Sequence, residues 1–124
     1  MTQFDYTHFP SSFLGCCDVL GISDTITMGV NGYFKKELES LQKLIICRNA
    51  YWKIAGEQMG LDKSWSPDWL SYDNIPAVFM FRYNIVVDSV KCQQSLFCFP
   101  TTAMTMLFYN NFKDLMDDCK EFIV

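Results

Sequence analysis

The spacing of the hydrophobic residues changes at Pro100. Before it, short apolar runs have a period of two, which is typical of strands, and after it apolar residues recur every three or four positions, which is typical of a helix. The runs are Ala77–Tyr83, Ile85–Val90 and Leu96–Phe99, and the helical series is Met104, Phe108, Phe112, Leu115, Cys119 and Phe122. A sheet is therefore predicted to precede a helix that Thr101 or Thr102 caps and that runs to about Glu121.

A second helical pattern precedes the predicted sheet. Its apolar positions keep a four-three spacing along one face: Phe34, Leu38, Leu41, Ile45, Trp52, Ala55 and Met59. Asn31 can cap the start of this helix, and Gly60 stands where a left-handed residue is wanted at its end. Arg48 occupies the one polar position in the apolar seam. The pattern predicts one long helix of about 25 residues, or about 38 Å.

The first third of the chain gives weaker signals. Ser11 or Ser12 can cap a short helix over Phe13–Leu20, which Gly21 would end. Thr25–Val30 is either a short strand or a loop.

The links within the predicted sheet are short, at Tyr83-Asn84 and at Lys91–Gln94, which favours strands that pair in the order of the sequence. The elements together predict an α+β fold: a small three-stranded antiparallel meander packed against two long helices, with a short N-terminal helix. A length of 124 residues suits a single domain over positions 1–124.

Composition and charge narrow the possible functions. Half of the residues are hydrophobic and 16% are aromatic, which argues against disorder. The net charge is −4 and the basic residues are scattered, so we expect no nucleic-acid partner. The six cysteines include no C-x-x-C pair and are expected to be small core residues in a reducing compartment. No signal peptide and no apolar run of about 20 residues is found, so we expect neither secretion nor a membrane partner.

Catalytic and metal-binding patterns are weak. The only histidine, His8, has no cysteine at a spacing that suggests a nucleophile pair. Acidic residues crowd the end of the last predicted helix and could hold a hard cation, although a solvated face is the favoured interpretation. They are Asp114, Asp117, Asp118 and Glu121. We therefore expect no enzymatic activity, no cofactor and no metal site.

The predicted strands are apolar on both faces, whereas an alternating strand normally has one polar face. Helices can cover one face, and the other is covered either by the N-terminal third or by another protein, including a second copy of the chain. In the second case, apolar residues of the outer face would dock the partner while Arg82 and Asp88 fix its orientation. The apolar residues expected on that face are Val78, Met80, Val86 and Leu96.

A ligand pocket between the helices and a tryptophan-rich loop is the alternative. Arg48 and Trp52 would be its anchors, and Trp65 and Trp69 would stack on a base or a sugar. More often, an Arg in such a seam pairs with a buried acid such as Asp114, and loop tryptophans of this kind usually anchor the loop to the core.

Several stretches resemble a family of short uncharacterised proteins of gut bacteria and their phages. They are Phe4–Thr7, Cys16–Gly21, the C-R-x-A-Y-W-K-I-A-G-E-Q-M-G-L of Cys47–Leu61, the W-x-P-D-W of Trp65–Trp69, Phe99–Thr101, Phe108–Leu115 and Cys119–Glu121. The chain departs from the family pattern at Thr102–Leu107, where relatives tend to carry acidic residues and Arg.

The resemblance transfers no activity, but it implies a phage or mobile-element origin. The expectation is a non-enzymatic protein–protein interaction module, associated with a virion or bound to a protein in the bacterial host cytoplasm. A protein that binds a small ligand, either a nucleotide or an anion, is the alternative.

Overall fold

The computed structural model describes residues 3–25, 34–71, 73–91 and 95–123, and it has an α+β fold, as predicted. Its helices and strands follow one another in this order: α1 (Phe13–Leu20), α2 (Lys35–Gln58), β1 (Asn74–Phe81), β2 (Asn84–Lys91), β3 (Phe97–Cys98), α3 (Thr102–Asn111) and α4 (Lys113–Asp118). Short 3-10 turns lie at Tyr6–His8 and at Lys120–Phe122. The expected three-stranded antiparallel sheet and the short N-terminal helix are both present.

The ends of α1 and α2 follow the predicted signals. The Ser12 hydroxyl accepts a hydrogen bond from the Gly15 amide at 3.1 Å, and Gly21 ends α1 in the left-handed region with φ of 69°. Gly60, just beyond α2, has φ of 75°. A side chain is strained at such angles, so glycine suits both positions. The predicted cap at Asn31 lies outside the described residues, as does nearly all of the segment Thr25–Val30.

The strand order is β2-β1-β3, so the predicted meander is wrong in its connectivity. β3 pairs with β1 rather than with β2, with Ala77 opposite Cys98 and Val78 opposite Phe97. The burial of the strands explains this order. The four paired residues of β1 and β3 are fully buried. In contrast, β2 exposes Asp88 and other polar residues, which suits a strand at the edge of a sheet.

The last predicted helix is broken into α3 and α4. Thr101 caps α3, because its hydroxyl accepts a hydrogen bond from the Met104 amide at 3.1 Å. Thr101 was one of the two caps predicted from the sequence. Phe112 leaves the helical region with φ of −123° and ψ of 25°, and α4 ends at Asp118, short of the predicted Glu121. Phe112 is buried, and its ring lies 5.0 Å from that of Phe108, so the break occurs at a core position.

Tyr51 of α2 is the centre of the aromatic core. Its hydroxyl donates to the Pro10 carbonyl at 2.8 Å and accepts from the Asn111 side-chain amide at 2.9 Å. Its ring contacts four phenylalanine rings at centroid distances of 4.9 to 6.0 Å: Phe9, Phe99, Phe108 and Phe112. One side chain thus joins the N-terminal segment, α2, the end of β3 and α3.

The described cysteines are buried, as predicted: Cys16, Cys17, Cys47, Cys98 and Cys119. Burial, together with the nearby carboxylates of Asp118 and Glu121, raises the pKa of the Cys119 thiol to about 12. Cys92 lies outside the described residues. In the part of the chain that the structure describes, no helix is long and apolar enough to cross a bilayer.

Candidate functional site

Arg48 contacts the Trp52 ring instead of pairing with Asp114, the acid suggested from the sequence. Its guanidinium carbon lies 4.2 Å from the centre of the Trp52 ring, a cation–π distance. One terminal nitrogen donates to the Leu96 carbonyl at 3.1 Å, and the other two nitrogens donate to the Asn49 side-chain oxygen at 3.2 and 2.9 Å. Burial lowers the pKa of Arg48. Its donors thus serve contacts within the chain.

The other residues of the predicted ligand pocket, Trp52, Trp65 and Trp69, also come together, and we call them the tryptophan cluster. Trp52 is buried, and its indole N–H donates to the Cys98 carbonyl at 2.9 Å. Its ring lies 5.6 Å from that of Trp65 and 6.5 Å from that of Trp69. The Trp65 amide donates to the Trp52 carbonyl at 2.9 Å. These contacts attach the loop after α2 to the core, and binding of a nucleotide or anion there stays a prediction.

Gly56 permits this attachment. A Cβ atom at this position would collide with the Lys63 carbonyl oxygen, and it would lie 2.8 Å from the Trp65 amide nitrogen. The chain after α2 therefore passes directly over the helix backbone. An isolated glycine inside a helical pattern is the sequence signal for such a close approach, and the sequence reasoning did not use it.

The predicted docking face is wrong, because its four apolar residues do not share one side of the sheet. Residues directly opposite each other on antiparallel strands point to the same face. Val78 is opposite Phe97, whose ring stacks on Phe108 of α3 at 5.9 Å, so this face lies against the helix. Val78 is fully buried there, and Met80 shares its face by alternation. Both therefore lie on the face that α3 covers, where Met80 is half-buried.

The other residues that were predicted to contact a partner lie in three different places. Val86 is opposite Phe79 and Asp88 is opposite Ala77, which places both on the face away from α3. Leu96 is half-buried and precedes β3. Arg82 is exposed in the turn between β1 and β2.

The turn between β1 and β2 has two consecutive left-handed residues that are not glycine, and Phe34, before α2, is the third such residue in the described chain. Phe81 and Asn84 close a two-residue turn in which Arg82 has φ of 50° and Tyr83 has φ of 71°. Both values lie in the left-handed region, which is favourable for glycine and asparagine but costly for other residues. Tyr83 is 93% exposed and Phe81 is 53% exposed, while the Arg82 guanidinium lies 5.1 Å from the centre of the Phe81 ring. We call Phe81–Asn84 the hairpin tip.

The N-terminal segment packs on helices. Tyr6 shares a hydrogen bond of 2.8 Å with Thr101, the cap of α3, and the Phe9 ring lies 4.9 Å from that of Tyr51. The backbone of Asp5 both donates to and accepts from the Gln58 side chain, at 2.8 and 2.9 Å. Helix α3 covers the Val78 face of the sheet, the role that the sequence reasoning gave to the predicted long helices.

Sequence reasoning missed a cleft of about 470 Å³ beside the N-terminal turn. His8 lines this cleft together with Lys53 and Glu57 of α2. The sequence alone places His8 in a segment without clear structure. His8 lies 3.2 Å from the Asp5 carboxylate. No local pattern could have found this cleft, because it depends on contacts between residues some 50 positions apart.

The acidic residues near the C-terminus form a solvated helix end, and a lysine of α2 partly balances their negative charge. Asp118 lies 3.7 Å from the Lys36 ammonium, while Asp114 and Asp117 are exposed. Among the residues that the structure describes, no three histidine, cysteine or acidic side chains are placed to share a metal ion.

Comparison with known proteins found no match to a protein-family model, a curated protein or a solved structure. The candidate sites are therefore assigned from the geometry and chemistry of this chain alone.

Proposed function

We propose that this chain is a non-enzymatic protein–protein interaction module and that it contacts its partner through the hairpin tip. The observation that carries the proposal is the left-handed backbone of two residues that are not glycine, Arg82 and Tyr83, at the end of a hairpin. Backbone strain of this kind concentrates at functional positions.

The side chains at the tip suit a protein interface. Tyrosine and arginine are among the residue types that most often dominate binding energy, and Tyr83 and Arg82 lie next to a third large side chain, Phe81, that is also exposed. Each left-handed residue costs about 1–2 kcal/mol. An Asn-Gly turn would remove most of this cost and keep the hairpin. The fold alone therefore gives no reason for these two side chains.

The partner class follows from the resemblance to proteins of gut bacteria and their phages. A phage or mobile-element origin favours a virion protein or a protein of the bacterial host as the partner. A second copy of the chain is the competing case. It predicts a mass in solution of a multiple of 14.4 kDa, which size exclusion with light scattering measures.

A site-specific photo-cross-link tests the proposal. A benzophenone amino acid replaces Tyr83 in the full chain, and cells or lysate of the bacterial host are irradiated. We expect one discrete adduct whose yield falls when the same chain also carries Arg82→Glu, because that change reverses the charge beside the label. The matched control places the label at Leu14, which is exposed on α1.

An adduct obtained equally from both labelled positions would show non-specific capture and would refute docking at the tip. A yield from position 83 that Arg82→Glu leaves unchanged would also refute it. An adduct of the chain with itself, together with a dimer mass, would replace the external partner by a second copy.

A further inference from the structure

The cleft beside the N-terminal turn holds two opposite charges that do not neutralise each other. It is formed by the turn around His8, the end of α1 and one face of α2. Its lining residues are His8, Val19, Lys53, Ile54, Glu57 and Gln58, and its volume is about 470 Å³. A second cleft of about 370 Å³ also has Lys53 and Glu57 in its wall, so both charges border open space on two sides.

Lys53 and Glu57 lie one helical turn apart, a spacing at which opposite charges often pair. Here the lysine precedes the glutamate, which is the less favourable order. The Lys53 ammonium instead donates to the Val19 carbonyl at 2.7 Å, near the end of α1. In the described part of the chain, neither side chain forms an ion pair within 4.0 Å. Because an ammonium has three donors and this bond uses one, Lys53 retains capacity for a ligand.

We propose that this cleft binds a small zwitterion, an α-amino acid with an aliphatic side chain. The ligand carboxylate contacts the Lys53 ammonium and the ligand ammonium contacts the Glu57 carboxylate. The aliphatic side chain packs on Val19 and Ile54, the two apolar lining residues. This site goes beyond the proposed interaction function and rests on other residues.

The paired charges decide the ligand class. A simple anion would pair with Lys53 but would be repelled by Glu57. A simple cation would pair with Glu57 but would be repelled by Lys53. A ligand that carries both charges satisfies both side chains at once. Asp5 lies 3.2 Å from His8, so the histidine at the rim already has an acidic neighbour.

The test is an NMR titration of the full chain with three probes. L-Leucine carries both charges, N-acetyl-L-leucine lacks the ammonium, and L-leucinamide lacks the carboxylate. We expect L-leucine to shift the amide resonances of Val19, Ile54 and Glu57 with a dissociation constant of about millimolar, the range for a ligand of this size. Each single-charge probe should bind about three- to fivefold more weakly, the value of one exposed ion pair.

Glu57→Gln removes one of the two charges without removing the side chain. It should abolish the preference for L-leucine over N-acetyl-L-leucine. Glu121→Gln, an exposed acid in the last turn of the chain, is the matched control and should leave the preference intact.

Three results overturn the proposal: no probe shifts the lining resonances at 50 mM, all three probes bind equally, or Glu57→Gln leaves the preference unchanged. None of them bears on the hairpin tip, which the cross-linking experiment tests separately.

Discussion

The backbone strain at the hairpin tip can be measured by changing Tyr83. Tyr83→Gly removes the steric cost of a side chain at φ of 71°, which is about 1–2 kcal/mol. Glycine also gives the unfolded chain more freedom, and this opposes the gain by about 0.5–1 kcal/mol. Since Tyr83 is 93% exposed, hardly any burial is lost. The two ranges together give a net stabilisation of about 0–1.5 kcal/mol, with a midpoint of about 0.75 kcal/mol.

Tyr83→Ala is the matched control, because it removes the aromatic ring but keeps the Cβ atom that causes the strain. Its stability should stay within about 0.5 kcal/mol of the parent, as for most exposed substitutions. The glycine variant should therefore be more stable than the alanine variant. At ordinary backbone angles within a strand or helix the order is the reverse, by about 0.5–1 kcal/mol, so the sign of this difference reports the left-handed conformation.

Urea unfolding followed by tryptophan fluorescence measures the three free energies, since Trp52 is buried in the native chain. Thermal unfolding should show the glycine variant about 2–4 °C above the parent for a chain of this length. An alanine variant as stable as the glycine variant, or more stable, would refute a strained turn at this position.

Three further predictions concern the interior. Tyr51→Phe should lower the free energy of unfolding by about 1–3 kcal/mol in a urea titration, because the Pro10 carbonyl and the Asn111 amide each lose their buried partner; an unchanged midpoint would contradict that role. Gly56→Ala should cost about 1–3 kcal/mol in the same assay by forcing the loop off α2, and a neutral effect would show that the loop lies elsewhere. The pKa of the Cys119 thiol is about 12 in the folded chain, against an ordinary value of about 9. The stability that this shift contributes to the folded state is therefore fully present below pH 9 and is lost as the pH rises to 12. Cys119→Ala should therefore flatten the fall in stability over that range, and an identical pH profile in the variant would contradict the raised pKa.

Local patterns predicted the helices well, because their signals lie within a few residues of each other. The long helix ended at a left-handed glycine where the sequence placed one, and Ser12 and Thr101 capped the helices they preceded. The break at Phe112 was not predicted, because that residue fits the helical spacing and no glycine or proline marks an interruption there.

The sheet was predicted less well, because strand order depends on pairing between distant residues. Short links suggested a meander, yet the buried Phe97 was better placed beside Val78 than beside the polar edge strand. The error in the docking face has the same origin. Alternation tells which residues share a face within one strand, but only the register tells that Val86 opposes Phe79 rather than Val78.

The sequence grouped Arg48 with the tryptophan cluster, but it did not predict the cleft. The sequence named Arg48 and Trp52 together, and they are in contact, because residues four apart on a helix are neighbours. It missed the cleft of Lys53 and His8, which forms only when the N-terminal turn folds onto α2.

The most direct test of docking through the hairpin tip uses the partner that cross-linking identifies. Its dissociation constant is measured by biolayer interferometry for the parent chain and for the chain that carries Arg82→Asn and Tyr83→Gly. These changes keep the hairpin and relieve its strain, so the folded state is retained. We expect a loss of affinity of at least about tenfold, as for removal of a dominant contact residue, in a chain that is more stable than its parent. Equal affinity of the two chains would contradict it.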